Sequence, residues 1–221
     1  VVDRVYLHFL KVPAHFKTLT FWQLDRLRLF SALSEIQPDI VHGQGIENQY
    51  GYAALTCPYP HLITIHGLAS LSGIARGESG RGRNRILEWF ERRCLQHPTN
   101  IVVINPFIAD YLHLHDSTNR LFPIPNPISE RFFTPSTVRR EDDLILATGW
   151  VDRLKAHDVL LRALALLHQR GHSTRTIIAS PLQPGPYLDA LQRYIAGHQL
   201  NVEFSGFLAP NQLADHLRRC A

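Results

Sequence analysis

Six side chains or backbone positions in this sequence are suited to chemistry at strand ends: His42, Gln44, His66, Asn105, Gly149 and Lys155. Histidine exchanges or shares a proton near neutral pH, and a carboxamide beside it can fix which ring nitrogen holds that proton. Gly149 and Lys155 belong to the most patterned stretch, LILATGWVDRLKAHDVLLRALALL, residues 144–167. It reads as a short apolar strand, a turn with a glycine and basic residues, and an amphipathic helix. Leu160, Leu161, Leu164 and Leu167 recur at helical spacing and give that helix a core-facing stripe. A strand that feeds a helix through a glycine turn offers free N–H groups and a positive dipole end, which suits an anion. Lys155, predicted where the helix begins, adds a point charge. The same spacing also fits an ordinary strand–helix unit with a solvated lysine.

The elements that must position these residues follow from apolar patterning. A β-rich run at 5–10 comes first, then a helix at 21–36 with apolar residues at Leu24, Leu27, Phe30 and Leu33. Strands are predicted at 38–42, 61–66, 100–104 and 120–124, with helices at 46–55, 85–95 and 106–114 between them. Residues 67–82, rich in glycine and arginine, read as a flexible loop. The polar, aperiodic stretch 133–143 marks the domain boundary. A second series follows: strands 144–148, 174–180 and 201–205, and helices 155–169, 185–197 and 210–219. Apolar strands alternating with helices give parallel sheets covered on both faces, and two series give two Rossmann-like domains facing a cleft. Ligands of such sheets bind beyond the carboxyl ends of the strands, where the six positions fall.

Composition narrows the function classes. The net charge is +4 over 221 residues, too diffuse for nucleic acid and equally suited to anionic ligands or an anionic membrane surface. No apolar run approaches the roughly 20 residues of a membrane-spanning helix. Phe21, Trp22 and Phe30 have helical spacing and read as core rather than membrane anchors. Cys57, Cys94 and Cys220 are odd in number and lack metal-ligand spacing, as in a reduced, intracellular protein with no bound metal. Arg76, Arg81, Arg83 and Arg85 read first as a solvated run, and otherwise as a guide for an anionic acceptor. The chain has no methionine, and both ends fall inside regular patterns, so it reads as part of a longer protein.

Several segments carry a family resemblance. Gly149-Trp-Val-Asp-Arg-Leu-Lys155-Ala-His-Asp-Val-Leu-Leu resembles the G-R-L-x-x-x-K-G-x-D-x-L-L segment of family 4 glycosyltransferases, retaining enzymes of the GT-B fold. Pro38-Asp-Ile-Val-His42 is similar to that family's P-D-[IV]-[IV]-H segment, and Ile63-Thr-Ile-His66-Gly67 to its T-x-H-[DG] segment. Pro123-Ile-Pro-Asn126-Pro127-Ile128, followed by Phe132-Phe133, resembles I-x-N-[GP]-[IV]; Val202-Glu-Phe-Ser-Gly206-Phe207 resembles V-x-F-x-G. Five segments in the right order span Pro38 to the end.

The resemblance implies an α/β protein of two GT-B-type Rossmann-like domains, the second incomplete. Residues 1–135 would form the acceptor-side domain, without its first strand and loop, and 143–221 part of the nucleotide-sugar domain. It implies transfer of a sugar from a nucleotide-diphosphate donor, with retention, to a saccharide or lipid-linked acceptor, with no metal or other cofactor. His66 would be the catalytic contact to the transferring sugar. Gly149, Arg153, Lys155, Gly206 and Phe207 would bind the donor, and His42 and Gln44 would lie on the acceptor side. The implied setting is the cytoplasm, with peripheral contact to an anionic membrane. Two departures stand out: Trp150 occupies the position of the phosphate-binding arginine, and Ala156 that of the glycine after the lysine. Arg153 is the candidate replacement cation. The family's glycine-rich loop and E-x₇-E segment are not in the sequence, which implies a fragment inactive by itself. A sugar-nucleotide epimerase of the same fold, or a non-catalytic sugar-nucleotide-binding or scaffold module, are the alternatives.

Overall fold

A computed structural model describes residues 5–11, 20, 22–97, 99–114, 119–134 and 138–220. Phe21 and 135–137 of the polar stretch lie outside the described residues. Contacts divide the chain into two units, Val1–Asn126 and Pro127–Ala221.

In the first unit the order is α1 (Gln23–Ile36), β1 (Val41–Gln44), α2 (Tyr50–Leu55), β2 (His61–Ile65), α3 (Ala69–Arg76), α4 (Gly82–Gln96), β3 (Asn100–Val103), α5 (Pro106–Leu114) and β4 (Arg120–Pro123). The four strands form one parallel sheet in the order β1-β2-β3-β4. Ile63 and Ile65 of β2, Ile101 and Val103 of β3, and Ile108 and Leu112 of α5 build its core. Burying each such side chain contributes about 1.5–3 kcal/mol. A second cluster joins Trp22, Leu87 and Phe90, with Trp22 edge-on to Phe90 at 5.7 Å between centroids. Trp22 is therefore core, as its spacing predicts.

Three expectations need correction here. Of the predicted strand at 5–10 only Val5 makes a β-bridge; residues 6–10 lie outside any strand and are exposed. Leu24 and Leu27 of α1 face solvent, and the helix packs through Trp22 and Arg26 instead, the latter donating to Thr56 at 3.1 Å. The predicted loop at 67–82 contains α3, and α4 begins three residues earlier than expected, at Gly82. Long-range capping explains it. Glu91 of α4, only 4% exposed, accepts from the Ser70 N–H at 3.2 Å and the Ser70 hydroxyl at 2.5 Å. Glu88 accepts from the Gly80 N–H and the Ser79 hydroxyl, both at 3.0 Å. Two carboxylates from one helix thus satisfy donors that glycine-rich sequence would otherwise leave to water.

The second unit runs β5 (Leu144–Thr148), α6 (His157–Gln169), β6 (Arg175–Ala179), α7 (Pro186–Gly197), β7 (Val202–Phe204) and α8 (Pro210–Arg219). Its three strands are parallel in the order β5-β6-β7. Leu161 and Leu164 of the predicted stripe pack against Leu191, while Leu160 lies at the margin of this core. Arg219 Nε donates to Glu141 at 2.8 Å, which fastens the end of α8 to the start of β5. The architecture is α/β with parallel sheets, as the sequence indicates.

Candidate functional site

In the first unit the predicted residues come together at the carboxyl edge of β1 and β2. His42 and Gln44 lie two residues apart on β1 and so share a face. The strand runs from Val41 to Gln44, later than the predicted 38–42, so Gln44 lies within it rather than beyond it. His66 is the first residue past β2, which ends one residue short of the predicted 61–66. Register pairs Gln44 with Thr64, and the side chains form a continuous array. His42 Nε2 is 2.7 Å from Thr64 Oγ1, Gln44 Nε2 is 3.2 Å from the His42 ring nitrogens, and His66 Nε2 is 2.8 Å from Gln44 Oε1. Thr64 is buried, whereas His42, Gln44 and His66 are exposed. The array is anchored at one end and open to a ligand at the other.

Asn105, the third strand-end residue, has a structural task. Its Oδ1 accepts from the Ile108 N–H at 3.0 Å, capping α5 ahead of Pro106. Glu47, which sequence reasoning passed over, belongs to the site's surroundings. A Cβ on Gly67 would come within 3.0 Å of Glu47 Oε1, so this carboxylate lies directly over the backbone that follows His66. The only signal available beforehand was its position three residues after Gln44. Cys94, buried in the core, has its thiol pushed up to about 12 by burial and serves packing rather than nucleophilic chemistry.

In the second unit the predicted anion turn follows β5. Gly149 has φ +119°, and a Cβ there would meet the Lys155 side-chain carbons at 3.4 Å, so the missing side chain lets the lysine stem lie across the turn. Lys155 is not in the first turn of α6, as the sequence reading had it, but in a 3-10 turn, Arg153–Lys155, before it. Asp152 Oδ1 accepts from the Lys155 N–H at 3.1 Å and caps that turn. Ala156, in the family's glycine position, has φ 51°, a left-handed conformation that glycine adopts without strain. The Lys155 ammonium is exposed and has no hydrogen bond or ion pair among the described residues.

Neighbours of this turn are more engaged. The Arg153 guanidinium lies 5.5 Å over the Tyr187 ring, and Tyr187 donates to Asp158 at 2.9 Å. Burial raises the Tyr187 phenol. His157 is 3% exposed; burial lowers its imidazole, partly offset by the carboxylates of Asp152 and Asp158, and Lys155 lowers it further. Its Nδ1 has no hydrogen-bond partner among the described residues. Trp150 is 54% exposed on the same turn. After β7, Gly206 has φ +75° and Phe207 is 76% exposed. Both units thus carry their polar features at carboxyl strand ends, where open α/β sheets bind ligands. Among the described residues no group of three or more His, Cys, Asp or Glu could hold a metal ion. No described helix is long and apolar enough to cross a membrane.

Solved structures share this fold. Sucrose-phosphate synthase from Thermosynechococcus elongatus superposes with a TM-score of 0.69 at 16% identity, over 95% of this chain and 56% of its own. TarM superposes with a TM-score of 0.64 at 11% identity, over 86% of this chain and 37% of its own. A point mutant of S. aureus TarM, in complex with fondaparinux, alpha-GlcNAc-glycerol and UDP, gives 0.61 at 11%, over 83% and 37%. The chain therefore spans little more than half the length of one of these proteins and under half of the other. No curated protein matches the sequence. The sequence profile of Glycosyltransferase Family 4 matches residues 2–132, more than half of the chain. That segment holds His42, Gln44 and His66 on the sheet edge just described, and the chain belongs to glycosyltransferase family 4.

Proposed function

We propose that this chain takes part in retaining transfer of a sugar from a nucleotide-diphosphate donor to a saccharide or lipid-linked acceptor. The observation that carries the reading is the turn after β5, where Lys155 lies across Gly149 with its ammonium unpaired among the described residues. A leaving diphosphate gathers negative charge as the glycosidic bond breaks, and a preorganised cation at that point stabilises the transition state more than the ground state. Lys155 takes this role, with Arg153 beside it. Gly206 and Phe207 offer backbone and an aromatic face to the nucleotide base. On the first unit, His66 contacts the transferring sugar, and His42 and Gln44 orient it and the acceptor. The TarM complex that contains UDP and alpha-GlcNAc-glycerol supports this substrate class by fold analogy. The reaction as read uses no metal or other cofactor. Its setting is the cytoplasm, where Cys57, Cys94 and Cys220 stay reduced.

Calorimetric titration of the purified chain with UDP-, GDP- and ADP-glucose tests the donor half. One of the three binds, and Lys155→Ala weakens it by roughly 1.5–3 kcal/mol, the value of one charged hydrogen bond. Unchanged affinity in that variant removes Lys155 from the site. Retention is read from the anomeric configuration of the product by NMR.

A second reading, a sugar-nucleotide-binding module without turnover, is favoured by Trp150 in place of the arginine and by the stacking of Arg153 on Tyr187. Donor binding without transfer or donor hydrolysis, under any acceptor, in a longer version that carries the family's glycine-rich loop and E-x₇-E segment selects it.

A further inference from the structure

The arginine-rich segment divides once it is folded. Arg81 and Arg85 are exposed, whereas Arg76, at the end of α3, and Arg83, at the start of α4, line a cavity of about 280 Å³ that the other two do not reach. Asn48, Ser72, Asn84 and Glu47 complete its polar wall. Arg83 is held in place: Nη2 donates to Asn48 Oδ1 at 3.0 Å, and its guanidinium lies 5.8 Å over the buried Trp22 ring. The Asn84 amide donates to the Glu78 carboxylate at 3.0 Å, which leaves its carbonyl oxygen as an acceptor. The Ser72 hydroxyl has no hydrogen-bond partner among the described residues. Glu47 also lies over Gly67, next in sequence to His66, so the cavity adjoins the residue assigned to the transferring sugar, where an acceptor must come close.

We propose that this cavity binds an anionic group, a phosphate ester or a uronate carboxylate, on the saccharide acceptor. The proposal rests on the reading of the sheet edge of His42, Gln44 and His66 as the place where the transferring sugar meets its acceptor. A guanidinium matches both anions through two parallel N–H donors, and an arginine already fixed against Trp22 and Asn48 loses little freedom on binding. The hydroxyl, carboxamide and carboxylate groups around the two arginines match sugar hydroxyls rather than a second anion. Glu47 disfavours a bare anion in the cavity and accepts from a hydroxyl, which selects for a charged sugar over inorganic phosphate.

Titration of the purified chain in the absence of nucleotide tests this, with glucose 6-phosphate, glucuronate, glucose and inorganic phosphate as probes. Glucose 6-phosphate or glucuronate binds roughly tenfold or more tightly than glucose and more tightly than phosphate; the stronger of the two identifies the anion. Arg83→Gln and Arg76→Gln each lose that preference with melting temperature retained, Arg83→Lys keeps part of it, and Glu47→Gln tightens phosphate. Equal binding of glucose, a phosphate affinity matching that of the sugar phosphate, or full binding in both arginine variants overturns the proposal. Loss of binding in Lys155→Ala also overturns it, because the anion then sits at the turn after β5. If no nucleotide sugar binds while the arginine-dependent preference persists, the transfer reading fails and the cavity stands. If a nucleotide sugar binds and no charged sugar does, the cavity proposal fails alone.

Discussion

His66 Nε2 lies 2.8 Å from Oε1 of Gln44, a residue on the neighbouring strand. A carboxamide oxygen only accepts, so in this pairing His66 carries its proton on Nε2 and keeps the Nδ1 lone pair free. The same amide donates through its nitrogen to His42, and His42 in turn meets the buried Thr64 hydroxyl at 2.7 Å. The sheet edge thereby sets both the angle of the His66 ring and the nitrogen it leaves open to a ligand.

Gln44→Leu removes that control without touching the core, since Gln44 is exposed. In a longer version that carries the family's glycine-rich loop and E-x₇-E segment, turnover falls by roughly tenfold through kcat rather than KM, while stability stays within about 0.5 kcal/mol. His66→Ala gives a larger loss of turnover with the same retained stability. A melting-temperature drop that tracks the activity loss in either variant, measured by calorimetry, assigns these residues to packing.

Trp150→Arg restores the cation found in the resembling family segment, on a turn where Trp150 is already exposed. Donor affinity rises by roughly 1.5–3 kcal/mol. Arg153→Ala weakens the donor less than Lys155→Ala does, because Arg153 spends its charge partly on the Tyr187 ring. Isothermal titration of the three variants gives the order directly.

Glu91 couples α3 to pH. Burial holds its carboxyl above the ordinary value of 4.5, against the lowering effect of its hydrogen bonds from Ser70. A carboxyl raised on folding adds stability that is fully present below about pH 4.5 and lost as pH rises through its folded value. The stability difference between the native chain and Glu91→Gln therefore declines as pH rises from 4.5, then levels off. Glu91→Ala, which also strips the Ser70 donors of their acceptor, costs about 1–3 kcal/mol at neutral pH. Denaturant titrations at several pH values measure both.

His157 acts in the opposite sense. Its imidazole is lowered by burial from 6.5, so the stability it contributes is present above pH 6.5 and lost as pH falls through its lowered folded value. His157→Gln flattens that part of the pH–stability curve. A curve unchanged by the substitution means that the imidazole is solvated in solution.

The parallel strands were legible because they are apolar on both faces, with Ile63, Ile65, Ile101 and Val103 on one and Leu62 and Val102 on the other, a pattern that local sequence displays in full. The α3–α4 segment was not, because the group that caps α3 is Glu91, 21 residues from Ser70. Leu24 and Leu27 show the converse: helical spacing was read correctly, yet the side that packs was chosen by Trp22 and Arg26. In the candidate site, the histidines announced themselves by type and position. Glu47 did not, since a lone glutamate after a strand has no distinguishing neighbours until Gly67 folds beneath it. Strand propensity at 5–10 carried no information about pairing, which needs a partner rather than a composition.

The chain has three tryptophans, and their surroundings make them separate optical reporters. Trp22 is buried and Trp89 half-buried, both against Phe90 in the first unit, where emission is blue-shifted and shielded from aqueous quenchers. Trp150 stands in water on the turn that holds Lys155, so it emits to the red and is open to iodide. A nucleotide settling on that turn changes the red component alone, whereas unfolding of the first unit moves the blue one. One cuvette thus follows donor occupancy and the integrity of the first unit at the same time, with no label attached.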